Sequence, residues 1–176
     1  MNARPVSPAS AEPATAAPGV PAEVVCAEAR TDEERLMHHG IRHAVFVEEQ
    51  GMFVGSDLDA HDRREDLVRV LAFMRGQPVG TVRLYLLEEH TGLWKGDRLA
   101  VLPAARTCGA GAPLVRYAVA YARSHGGQRM IAQIQLANVR FFERLGWSAY
   151  EEAEDYLGLR HQPMQIALHG DKVTPE

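Results

Sequence analysis

The residues best suited to chemistry form a glycine-rich turn, Arg106-Thr107-Cys108-Gly109-Ala110-Gly111-Ala112. Gly109 and Gly111 lack a Cβ, so their backbone can take positive φ values and approach a ligand closely. Pro113 follows in the first turn of a predicted helix, where a missing N–H costs little. Free N–H groups at a helix N-terminus attract anions, and the helix dipole adds to the attraction. With the charge of Arg106 beside it, the turn predicts a pyrophosphate-binding site.

Three other interpretations of this turn are alternatives to the anion site. Glycine can serve the geometry of a strand–loop–helix connection alone, and this alternative stays open. A dinucleotide fingerprint would need a third glycine at the position of Leu114 and an acidic residue about 20 residues further on. A Walker loop would need Gly-Lys followed by Ser or Thr, which the turn lacks. The two nucleotide motifs are therefore disfavoured.

Other ionisable clusters give weaker signals. His39 and His43 lie one helical turn apart, but no Glu completes a His-Glu-x-x-His pattern and no Cys is near, so we predict no metal. The cluster of Asp57, Asp59 and Asp62 lacks the glycine and terminal glutamate of a calcium loop. We therefore predict that this segment is a charged loop.

Composition limits the class of protein. The chain has 176 residues and a formal net charge of −4, and its 19 Lys and Arg form no basic stripe typical of a nucleic-acid surface. Its two cysteines, Cys26 and Cys108, are too few for a disulfide framework and fit a reducing compartment. No apolar run approaches the roughly 20 residues that span a bilayer. The sequence predicts a cytoplasmic protein with neither a membrane nor a nucleic-acid partner, and Cys108 is expected to be a small loop residue rather than a nucleophile.

Apolar periodicity and turn residues predict the elements that position the glycine-rich turn. Residues 1–22, rich in Ala and Pro, are predicted to be disordered, residues 23–169 to form one domain, and residues 170–176 to be a polar tail. The predicted strands are 23–29, 67–74, 79–87, 98–102 and 130–136, with two more within 147–168. Helices are predicted to begin at residue 31 and to cover 113–125 and 138–145. This order indicates a mixed α/β layer fold around one central sheet.

Two motifs resemble the GNAT family of N-acetyltransferases. Residues 106–111 match the family's acyl-CoA signature of Arg or Gln, two residues, Gly, one residue, then Gly or Ala. Residues 138–147 are similar to a later family helix that an Asn opens and a Gly-aromatic pair closes. The resemblance covers residues 23–168 or so. It implies a mostly antiparallel central sheet with helices on both faces and a cleft where the fourth and fifth strands splay apart.

The front half resembles two subgroups of this fold. Residues 41–50, 57–59 and 80–84 resemble small stand-alone bacterial GNAT enzymes associated with nitrogen-starvation gene clusters and, more distantly, the acyl-homoserine lactone synthases. The Glu-Glu-Gln of residues 48–50 and the clear glycine-rich turn favour the first subgroup. Arg42, Asp59 and Arg83 keep the second open as an alternative.

The resemblance implies acetyl-CoA, or another acyl-CoA, as co-substrate and a small-molecule primary amine as acceptor. The amine would attack the thioester directly in a ternary complex, while a backbone N–H near Ala100 or Val101 holds the oxyanion. The pantetheine arm would pair with the fourth strand and with Asn138, and the pyrophosphate would lie on the turn. The implied cofactor contacts are Leu99, Ala100, Val101, Arg106, Thr107, Cys108, Gly109, Ala110, Gly111, Ala112, Asn138 and Phe142.

Phe142 departs from the family pattern, because many members have a tyrosine there that protonates the leaving thiolate. The thiolate must then leave unassisted or with help from another group, and a non-catalytic acyl-CoA-binding subunit becomes a further alternative. The sequence does not fix the general base. Asp97 is favoured because it precedes the predicted fourth strand, and the other candidates are Glu49, Glu89 and His61.

Acceptor binding is predicted for Arg42, Glu49, Arg83 and Gln133. Arg83 lies in an otherwise apolar strand, so its charge must face water, a pocket or a partner. Acceptor binding, a structural ion pair and a solvent-facing position on the strand all stay open for this residue. Gln133 and Gln135 alternate on the fifth strand, so one of them should face the cleft. A homodimer through sheet edges is a further expectation.

Overall fold

One eight-stranded sheet organises the described part of the chain, residues 23–169 of a computed structural model. The strand order is β1-β2-β3-β4-β5-β8-β6, with β7 paired to β8. The strands are β1 Val24–Glu28, β2 Val68–Met74, β3 Gln77–Glu88, β4 Leu93–Val101, β5 Arg129–Gln135, β6 Ser148–Ala149, β7 Glu154–Tyr156 and β8 Leu159–Ala167. The predicted N-terminal and C-terminal segments lie outside the described residues.

Four α-helices accompany the sheet: α1 Asp32–Arg42, α2 Pro103–Arg106, α3 Gly111–Ser124 and α4 Val139–Arg144. A π-helix, His43–Glu49, continues α1, and 3-10 turns cover Ala60–Arg63 and Leu136–Asn138. Helix α1 begins where the sequence predicts, because Thr31 and Glu34 form a reciprocal capping box. Among residues 23–169, no helix is long and apolar enough to cross a membrane.

The helices pack on both faces of the sheet, as the resemblance implies. On one face, Leu114, Val115 and Ala118 of α3 pack against inward-facing residues of β2, β3 and β5 in the larger hydrophobic cluster. On the other face, Ile41 of α1 and Phe46 of the π-helix belong to a second cluster with residues of β2 and β4. The two clusters follow the alternation of side chains along each strand. The mixed, mostly antiparallel α/β fold is therefore confirmed.

Several predicted element boundaries were wrong. Strand β4 begins at Leu93 rather than at residue 98, so Asp97 lies within the strand instead of before it. The charged and glycine residues at its centre hid the apolar pattern. Helix α3 begins at Gly111, two residues early, and the short α2 was not predicted. Three strands, rather than two, follow residue 147.

The sheet opens between β4 and β5. These strands run parallel and pair at Leu93 with Arg129, Trp94 with Met130 and Lys95 with Ile131. The other edge of β5 pairs with β8 along its whole length. Among the described residues, no further pair joins β4 to β5, so residues 96–101 of β4 are unpaired on the side of β5. The predicted splay is present, and it leaves one edge of β4 open within the sheet.

A β-bulge distorts β4 opposite this opening. Thr81 of β3 pairs with Ala100, but Arg83, two residues on, pairs with Asp97, so β4 contains one extra residue. Arg98 takes a φ of +51°, which an L-residue adopts at a cost of roughly 1–3 kcal/mol. The Thr81 hydroxyl donates to the Arg98 carbonyl oxygen at 3.2 Å. The bulge interrupts the β3–β4 ladder in the middle of the segment of β4 whose other edge is open.

Candidate functional site

The cleft between β4 and β5 is the candidate site. Its open space is about 980 Å³, counting the solvent at its mouth. Residues 95–99 of β4 form one wall, and residues 132–135 of β5 form the other. Val115 and Ala118 of α3 lie behind the opening, and Met52 and Phe53 lie on the side of the π-helix. A mostly apolar concavity with a few polar groups is typical of small-molecule sites.

The N-terminus of α3 presents free backbone donors beside the cleft. Its N-cap, Ala110, provides no side-chain hydrogen bond to the first turn, and no side chain in residues 23–169 caps it. Gly109 takes a φ of +76°, and a Cβ built there would have no described neighbour within 4 Å. A Cβ at Gly111 would lie 3.3 Å from Phe141 Cζ. Such a helix end can accommodate an anionic ligand, and binding at this turn stays a prediction.

Arg106 and Glu49 are paired with each other. The two guanidinium NH groups of Arg106 donate to the Glu49 carboxylate at 2.6 and 2.7 Å, and Arg106 Nε donates to the Val101 carbonyl at 3.0 Å. These hydrogen bonds hold the pKa of Glu49 below its usual value. The sequence predicts that Arg106 contacts the cofactor and that Glu49 contacts the acceptor. Either role requires a ligand that competes with the ion pair between the two side chains.

The predicted charged loop is part of a buried ionic network. Asp57 is 3% exposed, and its carboxylate accepts from Arg42 Nε at 2.7 Å. Asp62 accepts from both terminal nitrogens of Arg42, at 2.7 and 3.1 Å. Burial alone would raise the pKa of Asp62, but the bonds from Arg42 and the charge of Arg83 lower it. The loop carries the predicted charges, and its carboxylates are largely buried because they meet arginines from distant elements.

Arg83 stands at the centre of the same network. It is fully buried, and its guanidinium donates to Asp59 and Asp97 through four hydrogen bonds of 2.6–2.9 Å. The carboxylate of Asp62 also lies 2.9 Å from one guanidinium nitrogen. Arg98 adds bonds to Asp57 and Asp59 at 3.2 Å and lies 4.7 Å over the Phe53 ring. The geometry supports the structural ion-pair role for Arg83 and Arg42, and direct contact with an acceptor stays an untested prediction.

The cleft contains some of the predicted site residues and excludes others. Leu99, Asn138, Phe142 and Gln133 line it, and Gln133 Oε1 is sealed from solvent without a described partner. The Ala100 side chain packs in the second cluster, on the face of the sheet opposite α3. Val101, at the end of β4, pairs with β3. The catalytic and binding roles of these residues stay predictions.

The candidates for the general base are placed differently from one another. Asp97 lines the cleft, but both of its oxygens accept from Arg83, at 2.6 and 2.8 Å. Glu89 lies in the exposed turn between β3 and β4. His61 stacks on Tyr85 at 4.5 Å. Within the described part of the chain, neither Glu89 nor His61 is among the lining residues.

The lining residues that the sequence did not indicate include Tyr156 of β7 and His161 of β8. His161 lies opposite Gln135 in the sheet register, which brings it to the mouth of the cleft. Its position follows from a strand pairing that is remote in sequence, so no local motif marks it. Cys108 is exposed and does not line the cleft among the residues described. No group of three or more His, Cys, Asp or Glu within residues 23–169 is arranged to hold a metal ion.

Comparison with known proteins agrees with the fold and the cleft. The family model described as Acetyltransferase (GNAT) family matches residues 42–147. A Bacillus subtilis (strain 168) protein, whose assigned name proposes an acetyltransferase, is 32% identical over 122 residues, which are 69% of this chain and 81% of that protein.

Solved structures share the architecture at lower identity. An acyl-CoA N-acyltransferase from Pseudomonas aeruginosa has a TM-score of 0.72 and 24% identity, covering 83% of this chain and 99% of that one. The CoA-dependent acyl-homoserine lactone synthase BjaI has a TM-score of 0.67 and 17% identity, covering 78% and 77%. Together with the family match over 42–147, the splayed sheet and its open strand edge, these similarities show that the chain belongs to the acetyltransferase (GNAT) family and is an acyltransferase.

Proposed function

We propose that the protein transfers an acetyl or other acyl group from acyl-CoA to the primary amine of a small molecule, by direct attack in a ternary complex. The observation that carries this proposal is the open edge of β4, residues 96–101, joined by residues 102–110 to the uncapped N-terminus of α3. An extended chain with amide groups can pair with such an edge. An anionic group can bind the free amides of the helix.

The proposed roles follow from these placements. The pantetheine arm pairs with β4 between Leu99 and Val101 and contacts Asn138. The pyrophosphate lies on the amides of residues 110–112, because the amides of Cys108 and Gly109 already donate to the carbonyls of Ala105 and Arg106. The acyl carbonyl then lies near the bulge at Arg98 and Leu99. A bulge leaves one residue outside the ladder, so it adds a candidate oxyanion donor to the predicted N–H of Val101. Donors of this kind lower the barrier by stabilising charge that develops during attack.

Phe142 gives the reaction a particular requirement. Its ring lines the cleft and packs edge-on against Phe141 and Trp147, at centroid distances of 5.3 and 5.4 Å. A phenylalanine has no proton to give, so thiolate departure cannot depend on this position. The thiolate must therefore leave unassisted, or take its proton from another group or from water.

Thermal unfolding with and without acetyl-CoA tests the co-substrate. At about 100 times the dissociation constant, a specific ligand stabilises by roughly 2.7 kcal/mol, which for a domain of this size is a rise of roughly 5–10 °C. Gly109→Asn and Gly109→Asp form a matched pair, because both residues tolerate positive φ and the site is open. We expect the Asn variant to keep most of the shift and the Asp variant to lose it, because its charge repels the pyrophosphate.

The outcomes of this experiment separate the interpretations of the turn. Equal shifts in both variants would mean that the pyrophosphate lies elsewhere. No shift in the unaltered protein at millimolar acetyl-CoA would leave the turn as a geometric connection and would remove the proposed function. A shift without thiol release across a broad panel of amines would instead indicate the non-catalytic acyl-CoA-binding alternative.

The acyl-homoserine lactone synthase alternative is favoured by the structural similarity to BjaI, which has been solved with S-adenosylmethionine and isopentyl-CoA. Mass spectrometry decides between the two functions. The protein is incubated with acyl-CoA and either primary amines or S-adenosylmethionine. An N-acylated amine supports the proposed function, whereas a lactone product supports the alternative.

A further inference from the structure

His161 lies on the wall of the cleft that faces the loop after the π-helix. Its partner across the β5–β8 ladder is Gln135, and directly opposed residues of an antiparallel pair project from the same face. Gln135 faces the loop after the π-helix, because its Nε2 donates to Gln50 Oε1 at 3.1 Å and contacts Met52 Sδ at 3.4 Å. His161 therefore projects from the face that carries Met52 and Phe53, which line the cleft with it.

The hydrogen bonding of His161 defines its tautomer. His161 Nδ1 lies 2.9 Å from the Leu159 carbonyl oxygen. A carbonyl oxygen can only accept, so Nδ1 carries the hydrogen and Nε2 of the neutral ring keeps its lone pair. Among residues 23–169, nothing forms a hydrogen bond with His161 Nε2, and this atom is not one of the partnerless polar atoms sealed from solvent. Nε2 is therefore accessible, on a residue that lines the cleft.

Packing holds this ring in place. The His161 residue is 4% exposed, and the Tyr156 ring packs edge-on against it at a centroid distance of 5.3 Å. The imidazole is thus mostly buried, while its Nε2 is not sealed from solvent. A base with a fixed ring and a single accessible lone pair is positioned in the way that proton transfer requires.

We propose that His161 Nε2 is the general base of the transfer reaction, an assignment that rests on the proposed function. The acceptor enters as an ammonium ion, and Nε2 takes one proton to give a neutral amine. The amine nitrogen attacks the thioester carbonyl, the C–N bond forms and the C–S bond breaks. The second amine proton passes through solvent to the thiolate, giving free CoA thiol, and the imidazolium returns its proton to solvent.

Other carboxylates near the cleft are already engaged. Asp97 accepts from Arg83 with both oxygens, and Glu49 is bound to Arg106. The remaining charged or titratable groups that line the cleft with His161 are Lys95 and Arg98 of β4 and Tyr156 of β7. An ammonium or a guanidinium group offers only donors, and a phenol oxygen is a far weaker base than an imidazole nitrogen. His161 is therefore the lining group with an unengaged lone pair that suits amine deprotonation.

The variant His161→Asn tests the proposal. An asparagine amide can replace Nδ1 as the donor to the Leu159 carbonyl, but it has no basic nitrogen. We expect thiol release from acetyl-CoA, with the best amine of a panel, to fall about 100-fold to 10,000-fold. The acidic limb of log kcat/KM should also move to higher pH, because without the base only the neutral amine reacts, while the thermal shift with acetyl-CoA is unchanged. His90→Asn, in the exposed β3–β4 turn, is the matched control and should keep both rate and limb.

The possible failures are distinguishable. If the unaltered protein turns over and His161→Asn keeps its rate and acidic limb, the assignment of His161 is rejected and the proposed function stands. If the unaltered protein neither binds acetyl-CoA nor releases thiol, both fall together. A long-range proton–nitrogen NMR spectrum gives a test without turnover, with His161→Asn identifying the signal. We expect the Nδ1–H tautomer, and an Nε2–H tautomer would overturn the proposal.

Discussion

At the scale of single residues, His38 shows how burial controls a titratable group. Its Nε2 lies 3.3 Å from the Val82 carbonyl oxygen, and its Nδ1 is sealed without a partner among the described residues. Burial, together with the charge of Arg42, lowers the pKa of His38 to about 3. The ring is therefore neutral in the folded protein at physiological pH.

This burial predicts a loss of stability in weak acid. An unfolded histidine titrates near pH 6.5, so between about pH 6.5 and about pH 3 the unfolded chain binds a proton that the folded chain does not. The free energy of unfolding should fall with decreasing pH by up to about 1.4 kcal/mol per pH unit. We expect His38→Leu to reduce this slope, measured by urea denaturation from about pH 7 to about pH 4.5.

The matched control for this experiment is His90→Asn, since His90 is exposed. Its slope should equal that of the unaltered protein. Some slope should remain in His38→Leu, because burial also lowers the pKa of His39. An unchanged slope in His38→Leu would contradict the assignment to His38.

The spacing of His38, Ile41 and Val45 could have indicated from sequence that His38 faces the core. These positions, three and four residues apart, share one helical face. The state of the ring could not be predicted, because it depends on Val82 from β3. In the same way, the sequence identifies the types of residue that bind an anion at 106–112, but not that Arg106 is bonded to Glu49.

At the scale of elements, the buried ionic network connects the loop that follows the π-helix to β3 and β4. Removing one member of a buried ion pair leaves uncompensated charge and typically costs about 3–5 kcal/mol. We expect Arg83→Met to lose stability of this order in urea denaturation, because Asp59, Asp62 and Asp97 would lose their shared partner.

Arg35→Met is the control for the buried arginine. Arg35 pairs with Asp32 at the surface, with side chains 50% and 97% exposed, and such pairs contribute roughly 0–1 kcal/mol. A loss in Arg83→Met no larger than the loss in Arg35→Met would show that the network contributes specificity of geometry rather than stability.

The elements themselves were largely predictable, whereas their long-range partners were not. The capping residues of α1 and the apolar runs of β2 and β3 carry local signals, and these elements were found. Strand β4 was cut short because Gly96, Asp97 and Arg98 break its apolar pattern. Those residues are tolerated in a strand because Arg83 and Asp57 neutralise the charges, which only the folded chain reveals.

At the scale of the whole molecule, the sheet consists of two parts that meet at a short seam. Strands β1 to β4 form one part and β5 to β8 the other, and the pairing between β4 and β5 covers three residue pairs. The sequence motifs identified the family and hence this splay. They could not identify Tyr156 and His161, which close the cleft from strands near the end of the domain.

The seam predicts where ligand binding should slow amide hydrogen exchange. An acyl-CoA arm paired with β4 would protect amides in residues 96–101, and protection should also rise in β5. The terminal strand β1, which is distant from the seam in the strand order, is the internal control and should not change. Hydrogen exchange monitored by mass spectrometry with saturating acetyl-CoA checks this, and uniform protection across all strands would contradict it.

The position of the open edge also bears on how the protein avoids edge-to-edge aggregation. Unpaired strand edges recruit other chains and promote aggregation when they lie at the rim of a sheet. Here the exposed donors and acceptors of β4 lie in the interior of the strand order, between β3 and β5, and the bulge at Arg98 bends the strand there. Another protein's strand, with side chains on both faces, would have to enter a narrow gap. A slender chain without side chains would meet no such obstacle. Under the proposed function, the gap should therefore admit a pantetheine-like arm and exclude polypeptide.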